Sequence, residues 1–433
     1  MFASVLRIIA VIVFLTFLGL MFFTKGDKNK KYLQFILLAY PLLATFIIPG
    51  YLGIKNFDLI TWVFFIGFYK SKKTEVYFGK TYLFLFLIIL LISIIGCYFA
   101  PSLTIETFRN YIEFFSIFIF AKILIDECIY EPKYFYIILD CLKTTLKVGL
   151  VFLVCQFIFG VQFNINKELN MNVFQDDIIR YPGFFQDPQK FGQFLAVSSF
   201  LFLIKKPDEE KLPAKNYLFL ALSIVALLYT GGRAASGGWL LGFSLIVIFG
   251  NSKLKLYSIL LAIVMFLVIY SFKDNFAVLN RGDNLSDSYD WRHAIWTDAI
   301  GIVKDNLYFG IAPGNYEHYV SLHNPNQFFV VENQVIFYDQ PESGYLKWLT
   351  EYGIFGFVSI LLLLILPMIN SLILYLKKKD TTSLLLISPI LCWMVSYYTV
   401  YSFADRRIQI LIVTITCLSI TFYKNFLTEE VEI

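Results

Sequence analysis

Eight arginines and three histidines carry most of the chemistry this 433-residue chain could perform outside its apolar segments. Arg233 is the most informative of them. It follows Gly231 and Gly232 and precedes Ala234, Ala235, Ser236, Gly237 and Gly238. A helix starting there would bring free backbone N–H groups, the positive end of a helix dipole and a guanidinium to one point, a ready anion site. The small residues would let a ligand or another helix approach closely. The planar fork of arginine fits phosphate oxygens better than an ammonium does. Arg292, Arg180 and Arg109 are further candidates for the same anion. Arg109 also stands four residues before Glu113, so an intrahelical ion pair would account for it equally well. Arg7 and Arg281 read as an interfacial anchor and loop structure, and Arg406 and Arg407, beside Asp405, as salt-bridge formers.

Acid–base groups are few. His293, His318 and His323 all fall between residues 273 and 353, together with Asp290, Glu317, Glu332, Glu342 and Glu351. Glu342, next to Pro341 and two residues before Gly344, is expected in the first turn of a helix that returns to the membrane. A carboxylate there either complements the helix dipole or, if buried, serves as a general base. His323 is the alternative base. No HExxH, Walker or well-placed GxGxxG pattern is present, so no metal, nucleotide or other cofactor is expected. A transfer reaction would then draw on a substrate already activated, and lipid-diphosphate-linked sugars are the obvious donors.

These residues hang on apolar segments. A hydrophobic fraction of 58% and a mean hydropathy of +0.67 exclude an ordinary soluble domain. Solid apolar runs, rather than short alternating strands, exclude an outer-membrane barrel. The expected fold class is all-α, a polytopic membrane protein with about 12–13 transmembrane helices. Spans are expected near 5–23, 33–49, 55–69, 81–99, 105–125, 143–160, 189–204, 216–230, 233–249, 254–272, 354–376, 383–401 and 407–423. Residues 1–433 form a single membrane domain, and 273–353 a large, partly helical extracytoplasmic loop within it. Within that loop Trp291, Ile295, Ala299 and Val303 recur at helical spacing after a cap at Ser286–Ser288. The first run has no small-residue cleavage site before Lys25 and reads as a retained span. The six cysteines lie in or beside apolar runs and read as buried thiols.

Lysine alone sets the orientation. Lys25–Lys31, Lys70–Lys80, Lys122–Lys147, Lys205–Lys215, Lys253–Lys255 and Lys377–Lys379 mark alternate connectors, which the positive-inside rule makes cytoplasmic. The arginines then fall at the opposite face. That face also receives "RYPGFFQDPQKFG" (180–192), "TGGRAASGG" (230–238) and the 273–353 loop.

The segments "TGGRAASGGWLLG", "DWRHAIWTDAIGIVKDNLYFGIAPGNY" and "PESGYLKWLTEYGIFGF", preceded by "RYPGFFQDPQKFG", resemble in order the motifs of the O-antigen ligase and O-antigen polymerase superfamily. Ligases of that superfamily typically carry a His-Asn or His-Ser pair where this chain has Glu342-Ser343, which favours a polymerase of the Wzy type. The resemblance implies a glycosyltransferase working in polysaccharide (O-antigen or capsule) biosynthesis. It would move a glycan from an undecaprenyl-diphosphate carrier to a lipid-linked repeat unit. Arg233, Arg292, Arg180 and Arg109 would bind the diphosphate, with Glu342 or His323 as base. Its partners would be the two lipid-linked glycans, the bilayer and a chain-length regulator, with no nucleic acid. Its place would be the bacterial inner membrane, the site facing the periplasm or the exterior. The alternatives are a ligase acting on lipid A-core, favoured by His323-Asn324, and a lipid-linked oligosaccharide transporter.

Overall fold

Apolar runs become helices along the whole chain. The computed structural model describes residues 2–48, 53–72, 80–100, 102–165, 169–170, 173–175, 178–280, 285–323, 328–331, 334–337 and 340–431. The first half contains α1 (Phe2–Phe23), α2 (Lys28–Leu38), α3 (Asn56–Gly67), α4 (Lys80–Phe99), α5 (Ile105–Tyr130) and α6 (Tyr134–Phe159). It continues through α7 (Pro188–Ser199), α8 (Ala214–Tyr229), α9 (Arg233–Phe249), α10 (Ser252–Ser271) and the short α11 (Ala277–Asn280). Then come α12 (Leu285–Asp305), α13 (Tyr316–His323), α14 (Gly344–Lys378), α15 (Thr381–Tyr397) and α16 (Arg406–Val431). The only sheets among the described residues are three two-stranded antiparallel ribbons. The protein is thus an all-α membrane protein. Among the described residues four helices are long and apolar enough to cross a bilayer, Thr81–Phe99, Ser252–Ser271, Gly344–Lys378 and Arg406–Asn425.

Helices lie over the expected spans with one clear exception. The second, expected at 33–49, stops at Leu38 after 11 residues, roughly 16 Å of rise. Pro41 sits in a 3-10 turn at Tyr40–Leu42, and Phe46–Ile48 then pairs antiparallel with Ile54–Lys55. Proline supplies no N–H and pushes the residue before it out of the helical region, so the run cannot continue as one helix.

Lysine-rich connectors that are distant in the chain are tied together by polar contacts. Lys72 bonds to Asp27 at 2.5 Å and to Glu127 at 2.8 Å, and Asn29 donates to the Lys70 carbonyl at 2.9 Å. Lys206 pairs with Asp140 at 2.6 Å, and Lys143 donates to the Ile204 carbonyl at 3.0 Å. The main core is continuous from α1 to α16 and rich in Phe, Ile and Leu. A smaller core, Ala299, Ile302, Ile311, Tyr316 and Val320, lies within 273–353. There α12 begins at Leu285, so Ser286 and Ser288 lie inside the helix rather than capping it. Ile295, Ala299 and Val303 are buried as expected, and the side chain of Trp291, the fourth residue of that face, lies outside the described residues.

α14 is continuous but broken once. Gly353 has φ 62° and ψ −175°, outside the helical region. Two groups taken out of the helical ladder find partners in the segment after α12: Ile354 N–H donates to the Leu307 carbonyl at 2.8 Å, and Ile311 N–H donates to the Thr350 carbonyl at 2.9 Å. The Tyr308 and Phe309 backbone packs where a Cβ on Gly353 would stand. Positive φ and close approach both demand glycine here.

Candidate active site

A cavity of about 400 Å³ opens beside the N-terminus of α9. Arg180, Arg233 and Arg292 line it, from three separate segments, and no acidic residue is among its described lining. Each is positioned by local geometry. Gly231 turns the chain at φ 66°, which lets Arg233 begin α9 with Gly232 as its cap. Arg180 is 1% exposed, and its Nε donates to the Thr230 carbonyl at 2.9 Å. A methyl on Gly231 would stand 2.7 Å from that same Nε, so the glycine turn and the buried guanidinium are fitted to each other. Arg292 projects from α12 one turn before Trp296, whose ring meets Tyr398 edge-on at 5.6 Å. Its Nε is buried with no hydrogen-bond partner among the described residues.

The small residues of α9 divide by face. Ala234, Ala235 and Gly237 line the cavity. Gly238 and Gly242 instead face α15, where added Cβ atoms would overlap the carbonyl oxygens of Cys392 and Ser388. Of the first amides of α9, Gly232 N–H donates to Thr230 Oγ1 and Arg233 N–H to the Gly231 carbonyl, while Ala234 and Ala235 stand on the cavity wall. Guanidiniums and a helix N-terminus, with no carboxylate among the described lining residues, are the groups that a polyanion site would need.

Glu342 lies outside the first helical turn where it is expected. Ser343 is the N-cap and Gly344 the first helical residue. Glu342 has φ 53°, in the left-handed region that non-glycine residues avoid, and is half-buried. Pro341 falls before the cap as well, because the turn into α14 is made by Glu342 rather than by the helix. The adjoining helix start is tightly held: Gly344 seats against the Tyr397 ring, and Tyr345 donates to the Met394 carbonyl at 2.6 Å. Glu342 thus stands two residues before a helix start that packs on the end of α15, and it is not among the cavity's lining residues. His323 ends α13, is exposed, and stacks on Tyr319 at 4.1 Å. It is not among the cavity's lining residues. His318 bonds to Ser102, tying α13 to the segment before α5.

Residues 218–361 match a family model described as O-antigen ligase. That segment, about a third of the chain, is similar to the O-antigen ligase family. Within it lie Arg233, Arg292, Glu342 and His323, whereas Arg180 and the Tyr398–Val400 wall are supplied by the rest of the chain. No curated protein matches the chain. The apolar helices make the chain a multi-pass membrane protein.

The structure does not bring the fourth arginine expected at the O-antigen ligase-like site, Arg109, into the cavity. Its guanidinium pairs with Glu106 at 2.5 Å and approaches Glu113 at 4.0 Å. Glu113 also meets Arg406 and, at 3.7 Å, Lys55, while Arg406 bonds Asp58 at 3.2 Å. Arg109 thus belongs to an ion network joining α3, α5 and α16. Arg407 pairs with Asp405 at 2.7 Å, donates to the Phe184 carbonyl at 2.6 Å and covers the Phe185 ring. Burial alone would raise the Asp405 pKa, but Arg407 prevails and holds that carboxyl well below its usual range. Arg281, Asn324 and the side chain of Arg7 lie outside the described residues.

Two uncharged residues of the site escaped the reading of the sequence. Gln189 and Gln193 line the cavity one turn apart on α7, behind an Asp187 N-cap. Gln193 is 1% exposed, and both ends of its amide are without partners among the described residues. A buried amide is costly unless something bonds it, so its place on the wall makes it a candidate ligand contact. The available signal was an i, i+4 pair of glutamines entering an apolar run.

Proposed function

We propose that the protein is a polysaccharide polymerase of the bacterial inner membrane, with its arginine cavity at the periplasmic or outer face. It transfers a growing glycan from an undecaprenyl-diphosphate carrier to the non-reducing sugar of an incoming lipid-linked repeat unit. The observation that carries this reading is the cavity edged by Arg180, Arg233 and Arg292 without an acidic residue in its described lining. A diphosphate offers oxygens to several guanidiniums at once. In the reaction the acceptor hydroxyl oxygen bonds to the anomeric carbon of the donor sugar, while the bond from that carbon to the diphosphate oxygen breaks. Negative charge builds on the departing diphosphate, where preorganised guanidiniums stabilise it most. The hydroxyl proton passes to Glu342 as general base. Undecaprenyl diphosphate leaves, and the 273–353 insertion roofs the site against water.

The second reading is ligation of the glycan to lipid A-core with His323 as base, and the family match, described as O-antigen ligase, is compatible with either. Purified protein incubated with lipid-linked repeat units alone separates the readings. Polymer formation supports the polymerase, and transfer only on addition of lipid A-core supports the ligase. Unchanged substrates in both reactions overturn both. Unaltered chain-length ladders from both Arg233→Ala and Arg292→Ala in a complementation assay would refute the diphosphate site.

A further inference from the structure

A second cavity, of about 180 Å³, lies between α4, α5, α14 and α16. It is a slot rather than a bowl. Along α5 its wall runs from Asn110 to Ile125, roughly 22 Å of helix and most of a hydrocarbon core. Asn110, Glu113 and Gln409 form its polar end, on the side of the buried ion network. The remainder is apolar and aromatic, with Phe86 stacked on Phe114 and Phe118 at 4.4 and 3.9 Å. Phe114, Phe118, Ile360 and Leu363 are only half-buried, so the slot opens sideways between helices. Protein interiors rarely leave such a space unfilled.

Its position says which molecule fills it. The connector from α15 to α16 is a partition: Tyr398, Thr399 and Val400 face the arginine cavity, and the next residues, Tyr401, Phe403 and Ala404, face the slot. The start of α14 spans both sides, with Gly344 against Tyr397 and Trp348 and Tyr352 lining the slot. A chain tethered to a diphosphate in the arginine cavity would have to cross that partition to reach the slot. We infer that the slot binds the polyprenyl chain of the second lipid-linked substrate, the glycan acceptor, holding it across the partition from the donor diphosphate. The inference rests on the two-lipid transfer proposed above.

The test is photolabelling of the full-length protein in nanodiscs, with a polyprenyl monophosphate carrying a diazirine on its terminal isoprene unit. A phosphatidylethanolamine bearing an acyl diazirine serves as the comparison. The polyprenyl probe is expected to label residues of the slot at least tenfold more than the phospholipid probe does. Leu363→Trp and Ile360→Trp, each checked for an unchanged melting temperature, should each cut that labelling about tenfold. The double variant Arg233→Ala/Arg292→Ala should leave it within twofold. Equal labelling by the phospholipid probe makes the slot a site for bulk lipid and overturns the inference. So does labelling that survives both tryptophan variants, or that falls with the arginine variant, which would assign the slot to the donor chain. Slot labelling with the expected pattern but no glycan transfer by the wild-type protein would sink the polymerase reading and leave a polyprenyl site standing.

Discussion

Gly231→Ala tests the fit between the glycine turn and the buried arginine. At φ 66° an alanine costs on the order of 1 kcal/mol more than glycine. Its Cβ would also stand 2.7 Å from Arg180 Nε and 3.2 Å from Arg180 Cδ. Arg180 has little freedom to withdraw, being 1% exposed and bonded through Nε to the Thr230 carbonyl at 2.9 Å. Losing that charged hydrogen bond adds about 1.5–3 kcal/mol. The two together amount to about 2.5–4 kcal/mol, shared between lower stability and a displaced guanidinium. A group moved by about 1 Å from its productive place costs roughly 100-fold in rate. The matched control is Gly301→Ala, in mid-α12 with nothing within 4 Å of the added methyl, where alanine favours the helix by about 1 kcal/mol. The assays are the melting temperature of the purified protein and the chain-length ladder in a complemented deletion strain. Gly231→Ala is expected to melt lower and lose long chains, whereas Gly301→Ala melts no lower and keeps them. A folded Gly231→Ala protein with a normal ladder would refute the reasoning.

Glu342→Gly relieves a left-handed residue, worth about 1 kcal/mol, which offsets part of the loss of its side-chain interaction, so we expect a folded protein in which glycan transfer is lost. Transfer retained in that variant removes Glu342 from the chemistry. Asp58→Ala strips one partner from fully buried Arg406 and should cost about 3 kcal/mol, read as a lower melting temperature; a shift near zero contradicts the ion network. Gly238→Val forces α9 away from the Cys392 carbonyl and should destabilise by about 1–3 kcal/mol. Lower glycan yield should follow in proportion to protein lost, and an unchanged melting temperature argues against that packing.

Much of the fold is legible in the sequence because a span is announced by a long apolar run and ended by charge. The second span misleads for a local reason: a proline at 41 ends a helix that hydropathy alone would carry through. The site is legible where arginine stands beside a glycine turn, as Arg233 does, since residue type and backbone geometry point the same way. Arg109 shows the limit. Its membership of the Glu113 network depends on Arg406, almost 300 positions away, which no local pattern announces. Nor does spacing alone say which of two adjacent glycines, Gly237 or Gly238, meets the cavity and which meets α15. Gln193 carries no charge to draw notice, yet its buried amide makes it as informative as an arginine.

The break at Gly353 sets a rule for recombining this protein with its relatives. The two helical bonds that the glycine surrenders are completed by Leu307 and Ile311, so the external roof and α14 share one seam of backbone. A chimera that exchanges the roof at the visible helix end, residue 344, would cut that seam and leave donors and acceptors unmatched in an apolar setting. Residues 307–354 must travel as a block, so any specificity built into the segment after α12 is inherited together with the first turns of α14.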